Sequence, residues 1–332
     1  MTTPATGTID TNAVAALVAD AGAAPSLHNA QPWAFRYLSG SGTLRLHADP
    51  SRHLPSVDPS RRNLLLGCGA ALFNLRVAAA AAGLSPAVRL LPAPADPSLL
   101  AEIDLRGRAP SDPALAALHP AIARRHCSRH PFRDEEIPLP VRRKLVAAAE
   151  AEGAELLYVD AWHVQAILEL VRDAEDREAH SARARGETLR WTRPEPDGAA
   201  PPPDGVPAAA FGPGQRLPTV PVRDFAAGRP VAGRGRVAFE EHPHIALLGT
   251  SRDRPEDWLR AGQALERVLL RATSDGLVAS LTSQPLEWPE IRWMVRDPVS
   301  AMAHVQMVLR LGYGPAGHAT PRRPVDDLLD VV

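Results

Sequence analysis

The chain has 332 residues, 45% of them hydrophobic, a formal net charge of −1 and two cysteines. That is enough apolar material for one large domain or two ordinary ones. The near-neutral balance gives no global field toward nucleic acid or an anionic membrane, and Cys68 and Cys127, in no CxxC pair, argue against a zinc site or a disulfide framework.

Residues 10–21 read as a short helix, with Val14, Leu17 and Val18 at helical spacing and Gly22 behind them. A loop follows, Pro25–Ser26–Leu27–His28–Asn29–Ala30–Gln31–Pro32–Trp33, and then strands at 34–38 and 44–48 parted by the turn Ser39–Gly40–Ser41–Gly42. Residues 61–82 form a long helical segment whose middle is apolar or small around its circumference, the mark of a helix buried on several sides. Gly83 ends it, and strands are expected at 88–91 and 100–105. A second unit begins near Asp112: a helix at 113–124, the segment Arg124–Arg125–His126–Cys127–Ser128–Arg129–His130–Pro131–Phe132, a helix at 140–152, a strand at 155–159 and a longer helix at 162–180. Composition then changes, with ten prolines and five glycines between Trp191 and Pro230, which cannot form an ordinary helix or central strand. Order resumes with a strand at 244–249, a helix at 255–274 carrying Trp258, Leu265 and Leu269 on one face, and strands at 277–281 and 303–311. The helices at 61–83 and 255–276 occupy equivalent places in two units of similar element order, as in a divergent duplication.

Lys144 is the only lysine, so nearly all basic residues are arginines, which suit bidentate phosphate contacts. The run Arg124–Arg129 is either a phosphate-binding turn or a solvated basic one, and the pair Arg322–Arg323 would strengthen the first reading if both converged on one anion. The 25–33 loop is either the wall of a planar polar ligand's site or an ordered connector with Trp33 in the core. Cys68, within the apolar helix, reads as a small buried hydrophobe. Cys127 has arginine and histidine neighbours that would lower its pKa, and a packing or backbone role is preferred to a nucleophilic one. His242 and His244 form an H-x-H pair without a third ligand pattern, so no metal is expected. No GxGxxG or GxxxxGK[ST] is present; Gly233–Arg234–Gly235 breaks off at once. The first ten residues carry no charged-then-apolar leader pattern. No apolar run reads as membrane-spanning, the closest being the short alanine-rich stretch 77–84. A cytoplasmic protein without nucleic-acid or membrane partners is expected.

The 25–33 loop resembles the APS-x-x-N-x-Q-P-W loop of the nitroreductase superfamily, and 124–132 resembles its RRS-x-R-x-F signature, with Cys127 where serine is usual. Residues 276–281 look like the family's GLGS strand, 305–313 like its closing x-LGYP strand, and Arg322 and Arg323 match its late basic residues. The QPW-type loop here precedes the arginine signature, and neither half carries both, which is the pattern of the tandem Acg-like branch.

The resemblance implies an α+β fold of two half-domains, 1–110 and 111–332, forming a pseudo-dimer that is monomeric or weakly homodimeric, with a lid-like insert at about 185–235 covering the site. It implies one FMN between the halves. The flavin ring would lie against Pro25, Ser26 and Asn29, with Leu27, His28 and Gln31 in the same loop and Ser283 and Gln284 at the reactive edge. Arg125, His126, Cys127 and Arg129 would hold the phosphate with Arg322 or Arg323. No side chain need act as catalytic acid, because flavin carries the chemistry. NAD(P)H would be the reductant and an electron-poor small molecule the acceptor. The alternatives are a flavin-sequestering protein with little turnover and a degenerate structural protein.

Overall fold

The computed structural model describes residues 9–107, 110–193, 202–226 and 229–332. The first eight of the ten residues in the leader reading and parts of the proline-rich insert therefore lie outside the described residues.

The fold is α+β, with two sheets and a central pair of long helices. The first sheet runs Leu329–Val331, Trp33–Leu38, Thr43–Ala48, Leu99–Asp104, Ala87–Leu90. It is antiparallel except where the C-terminal strand joins it in parallel, Phe35 opposite Leu329. The chain's last residues thus return to the first sheet, so a cut at 110/111 does not separate the two sheets. The second sheet runs Val278–Thr282, His304–Gly312, His244–Thr250, Glu155–Tyr158, all antiparallel. In Trp33–Leu38 burial alternates residue by residue, as for a strand with one face on the core. His304–Gly312 is buried beyond its first residue because helices cover both of its faces.

The Arg62–Ala81 helix is buried at every position except Arg76 and Ala81. It is long and apolar enough to cross a membrane by length and composition, which corrects the reading that 77–84 was the closest approach to such a run. In this fold protein replaces lipid around it: the first sheet and the Thr11–Gly22 helix on one side, the Pro255–Ser274 helix on the other. These two helices touch backbone to backbone. Gly69 and Gly262 are each the eighth residue of a helix of 20. A Cβ on Gly69 would overlap the Leu259 carbonyl oxygen and lie 3.0 Å from the Gly262 Cα. A Cβ on Gly262 would overlap the Leu66 carbonyl oxygen and lie 2.9 Å from the Gly69 Cα. The contact is reciprocal, residue for residue.

Two helical expectations change. The helix at 113–124 is two single turns, Pro113–Ala116 and His119–Ile122, because Pro120 has no N–H to continue the ladder. A further helix, Ala182–Arg190, follows directly on Ala161–His180, with Ser181 Oγ accepting from the Ala184 N–H at 3.2 Å. Within the insert, two-residue parallel ladders join Thr192–Arg193 to Val206–Pro207 and Gly214–Gln215 to Arg236–Val237.

Candidate functional site

A cavity of about 90 Å³ lies where the two sheets' connecting segments meet the central helices. One wall is Pro25–His28. This loop is held in a strained form: His28, Asn29 and Gln31 all have positive φ, at 50°, 55° and 53°. Such backbone persists only where surroundings over-determine it, and it clusters at functional sites. Here Ser26 Oγ accepts the Gln31 N–H at 2.9 Å, and the amides of Asn29 and Gln31 are tied to Gly205, Pro321 and Pro203 carbonyls at 2.7–3.0 Å.

The opposite wall is Cys127, Arg129, Ser280, Leu281 and Ser283. Cys127 forms a parallel bridge to Ala279, and the Ser128 N–H donates to the Ala279 carbonyl at 2.8 Å, so the arginine segment is an added edge on the second sheet. The floor is the first turns of the Arg62–Ala81 helix. Gly67 leaves room against Ser26, whose Cβ would lie 3.3 Å from an added methyl. Asn63 lines the cavity with its Nδ2 unpartnered, while its Oδ1 accepts from Arg62 Nη2 at 3.1 Å. The guanidinium therefore fixes the amide with its NH₂ free. Asn63 was missed in the sequence, where its signal is a polar residue opening an apolar helix.

The roof comes from the insert. Arg223 and Phe225 line the cavity. Phe225 packs edge-on to His28 at 5.3 Å, and Arg129 lies 4.7 Å over its ring. Arg223 is buried and bidentate on Glu287, at 2.9 and 2.8 Å, with Glu178 at 2.9 Å. It also donates to His28 Nε2 at 2.8 Å. His28 Nε2 must then be an acceptor, which puts its proton on Nδ1, itself buried and unpartnered. Burial, then Arg223 and Arg129, holds the His28 pKa well below the usual histidine range.

Seven of the expected site residues do not line the cavity. Asn29, Gln31 and Gln284 spend their amides on protein partners, Gln284 on Glu175 at 2.9 Å. Arg323 donates to Gln31, Trp33 and Asp327 carbonyls. Arg125, His126 and Arg322 form a separate cationic cluster. Arg125 Nη2 and Arg322 Nη2 converge on the Ala23 carbonyl, at 3.0 and 3.1 Å. Burial and then the Arg125 charge bring the Arg322 pKa down to about 10. Burial and then the two arginines also lower that of His126. The Nε atoms of Arg125, Arg322 and Arg323 are buried without hydrogen-bond partners.

Among the described residues, the carboxylate facing this cluster is Glu266, fully buried, 3.3 Å from Arg125 Nε. Burial pushes its carboxyl up to about 7, against the pull of Arg125. Between pH 4.5 and 7 the folded chain then holds a proton that the unfolded chain releases, so stability falls as pH rises through that window. Glu266→Gln should flatten this dependence by on the order of 1–3 kcal/mol, read from urea unfolding at pH 5 and pH 8. An unchanged slope would remove Glu266 as its source.

The remaining sequence candidates have ordinary partners. Cys68 is buried and donates to the Pro32 carbonyl. His244 is engaged by Arg142 and the Glu135 carbonyl. Among the described residues no group of three or more His, Cys, Asp or Glu could hold a metal ion.

No family model matches the chain. A Mycobacterium tuberculosis protein provisionally named an NAD(P)H nitroreductase is 33% identical over 318 residues, covering 92% of this chain and 88% of its own length. A second protein from that organism, provisionally named NAD(P)H nitroreductase acg, is 30% identical over 333 residues and covers 97% of both. Among solved structures, a nitroreductase with bound FMN from Desulfitobacterium hafniense aligns over 65% of this chain and 97% of its own, at 15% identity and a TM-score of 0.40. With sequence identity of this order sustained over nearly the whole of both mycobacterial chains, the protein belongs to the nitroreductase superfamily.

Proposed function

We propose that the chain binds one FMN in this cavity and uses it as an oxidoreductase, taking electrons from NAD(P)H to an electron-poor small molecule. The observation that carries the reading is a pair of buried, unpartnered donors, Asn63 Nδ2 and His28 Nδ1, on two walls of one cavity. Buried donors are almost always paired in native proteins, so two unpartnered ones on residues that share a cavity support a ligand there. With Ser26, Ser280 and Ser283 they suit the polar edge of a flavin, and Leu27, Leu66 and Leu281 suit its apolar faces. The Arg125–Arg322 cluster suits the phosphate, since an anion there would fill vacant N–H donors and relieve repulsion between two buried guanidiniums.

FMN, when bound, supplies the hydride chemistry. The chain's part is to orient and to exclude water. Arg62 holds the Asn63 amide in one orientation. Ser26 holds the loop, and Arg129 brings positive charge to the cavity wall. The acg-named relative is similar over 97% of its length, which supports placing the chain in that branch.

The same reading makes the chain an internal pseudo-dimer with a single complete site. The reciprocal Gly69–Gly262 crossing supports an internal two-fold. Across it, Asn63 and Gly67 correspond to Glu256 and Arg260, which pair with each other at 2.7 Å on an exposed helix face. The equivalent position thus offers neither a free amide nor a gap. The near-neutral charge and the burial of the Arg62–Ala81 helix support a cytoplasmic protein that needs no membrane partner.

The described part of the insert acts as a lid. Ligand cavities usually measure about 300–1,000 Å³, and at about 90 Å³ this one is narrowed by Arg223 and Phe225 from the insert. That latch also favours a second reading, flavin sequestration with little turnover. Steady-state NAD(P)H oxidation with menadione or a nitroaromatic separates the two, sustained multiple turnover supporting the enzyme.

The founding test is the visible spectrum of the purified protein, with the chromophore identified after heat release. FMN near one per chain is expected; a colourless protein that takes up no added FMN overturns the proposal. Arg125→Ala should weaken FMN retention by roughly 1.5–3 kcal/mol, the worth of a charge-assisted bond. Unchanged occupancy after dialysis would move the phosphate elsewhere.

A further inference from the structure

A second cavity, of about 440 Å³, opens on a different side of the Arg62–Ala81 helix. Leu64 and Leu65 line it, whereas Asn63, Leu66 and Gly67 line the first. At about 100° per residue these two sets lie on opposed faces of the helix. The remaining walls are Leu91, Leu99, Leu100 and the half-buried Trp258, with Pro50, Pro94 and Pro97 stiffening the rim.

Three independent features mark this cavity as built for a ligand. Its size and apolar walls are those of a small-molecule site. Its edge carries two non-glycine residues in the left-handed region, Arg61 at φ 62° and Leu91 at φ 46°. Leucine gains nothing locally from that conformation, which is held by the Leu91 N–H on the Leu100 carbonyl at 2.8 Å. The third feature is charge. Arg61 is exposed at the mouth and makes no ion pair among the described residues, while the other charged lining residue, Asp96, is turned to Ser98 at 2.6 and 3.0 Å.

We propose that this cavity binds an amphipathic carboxylate, its alkyl or aryl body against Leu64, Leu65, Leu91 and Trp258 and its carboxylate on Arg61. It is no second flavin site, because it offers no buried unpartnered donor among the described residues.

The test is isothermal titration of octanoate into the FMN-loaded protein, with 1-octanol and octylammonium as controls. One octanoate per chain is expected, bound more tightly than either control. Arg61→Gln should weaken octanoate by about fivefold, the worth of an exposed ion pair, and leave octanol unchanged. Ala93→Trp, which fills the cavity from its rim, should abolish octanoate binding while flavin content and melting temperature stay as in the wild type. Three results would each overturn the proposal: no octanoate heat, octylammonium preferred over octanoate, or binding that survives in a folded Ala93→Trp protein.

Discussion

Gly262→Ala should destabilise the protein by about 3 kcal/mol or more, the upper range for overpacking a core. The added methyl would fall on the Leu66 carbonyl and the Gly69 Cα, which are backbone atoms with no rotamer to escape into. The helices can only part, and each is already pressed against its own sheet. Parting them would also move Asn63 and Leu66 away from Leu265, which together line the proposed flavin cavity. Lower stability and lower flavin retention should therefore appear together. Gly186→Ala is the control: it lies in the Ala182–Arg190 helix with nothing within 4 Å of an added Cβ. There the helix should gain roughly 0.5–1 kcal/mol. Urea unfolding of both variants decides the matter, and a Gly262→Ala protein as stable as the wild type would mean that the helices do not cross where they are placed.

That crossing shows what the sequence could and could not convey. The segment 62–81 was legible as a buried helix because small and apolar residues surround it on every face. Gly69 is one of those small residues. Nothing local, however, says that the partner is Gly262, some 190 positions away. The strands were legible by alternation and by apolar runs. Pro120 was a visible helix stop inside a predicted helix, and tertiary context added nothing to rescue the ladder there. The Ala182–Arg190 helix was invisible because ARARGETLR has no apolar period; it forms because Ser181 starts it and Ala184 and Thr188 find buried places.

The site divides in the same way. The residue types at 25–31 and 125–129 could be singled out from the chain, but not their directions. Asn29 and Gln31 are spent on the backbone of the insert and the C-terminal tail, and so hold the loop's strained φ values rather than facing the cavity. Arg125 and Arg322, far apart in the chain, meet at one carbonyl. Arg223 lies in a proline-rich stretch that offers no periodicity to read, although it lines the cavity.

Arg223→Ala is the second large effect expected. The guanidinium is buried between Glu287 and Glu178, and its loss leaves Glu287, also buried, without its countercharge. Breaking a buried pair from one side costs about 3–5 kcal/mol. Because Arg223 sits on the insert and not in either core, the cost falls on the closed state of the insert and is relieved by local opening. Flavin release should accelerate on the order of a hundredfold or more, at about 1.4 kcal/mol per tenfold. Limited proteolysis should cut sooner within the insert, while the melting of the two sheets shifts little. His28 gives the same latch a pH sign. Its pKa is depressed in the closed form, so the closed form is favoured above the ordinary histidine value and loses ground as pH falls below it. Protonated His28 can no longer accept from Arg223, so acid and Arg223→Ala should release flavin by one route, and acid should add little in the variant. If Arg223→Ala releases flavin at the wild-type rate while the protein remains folded, the insert does not gate the cavity, and the sequestration reading loses its support as well.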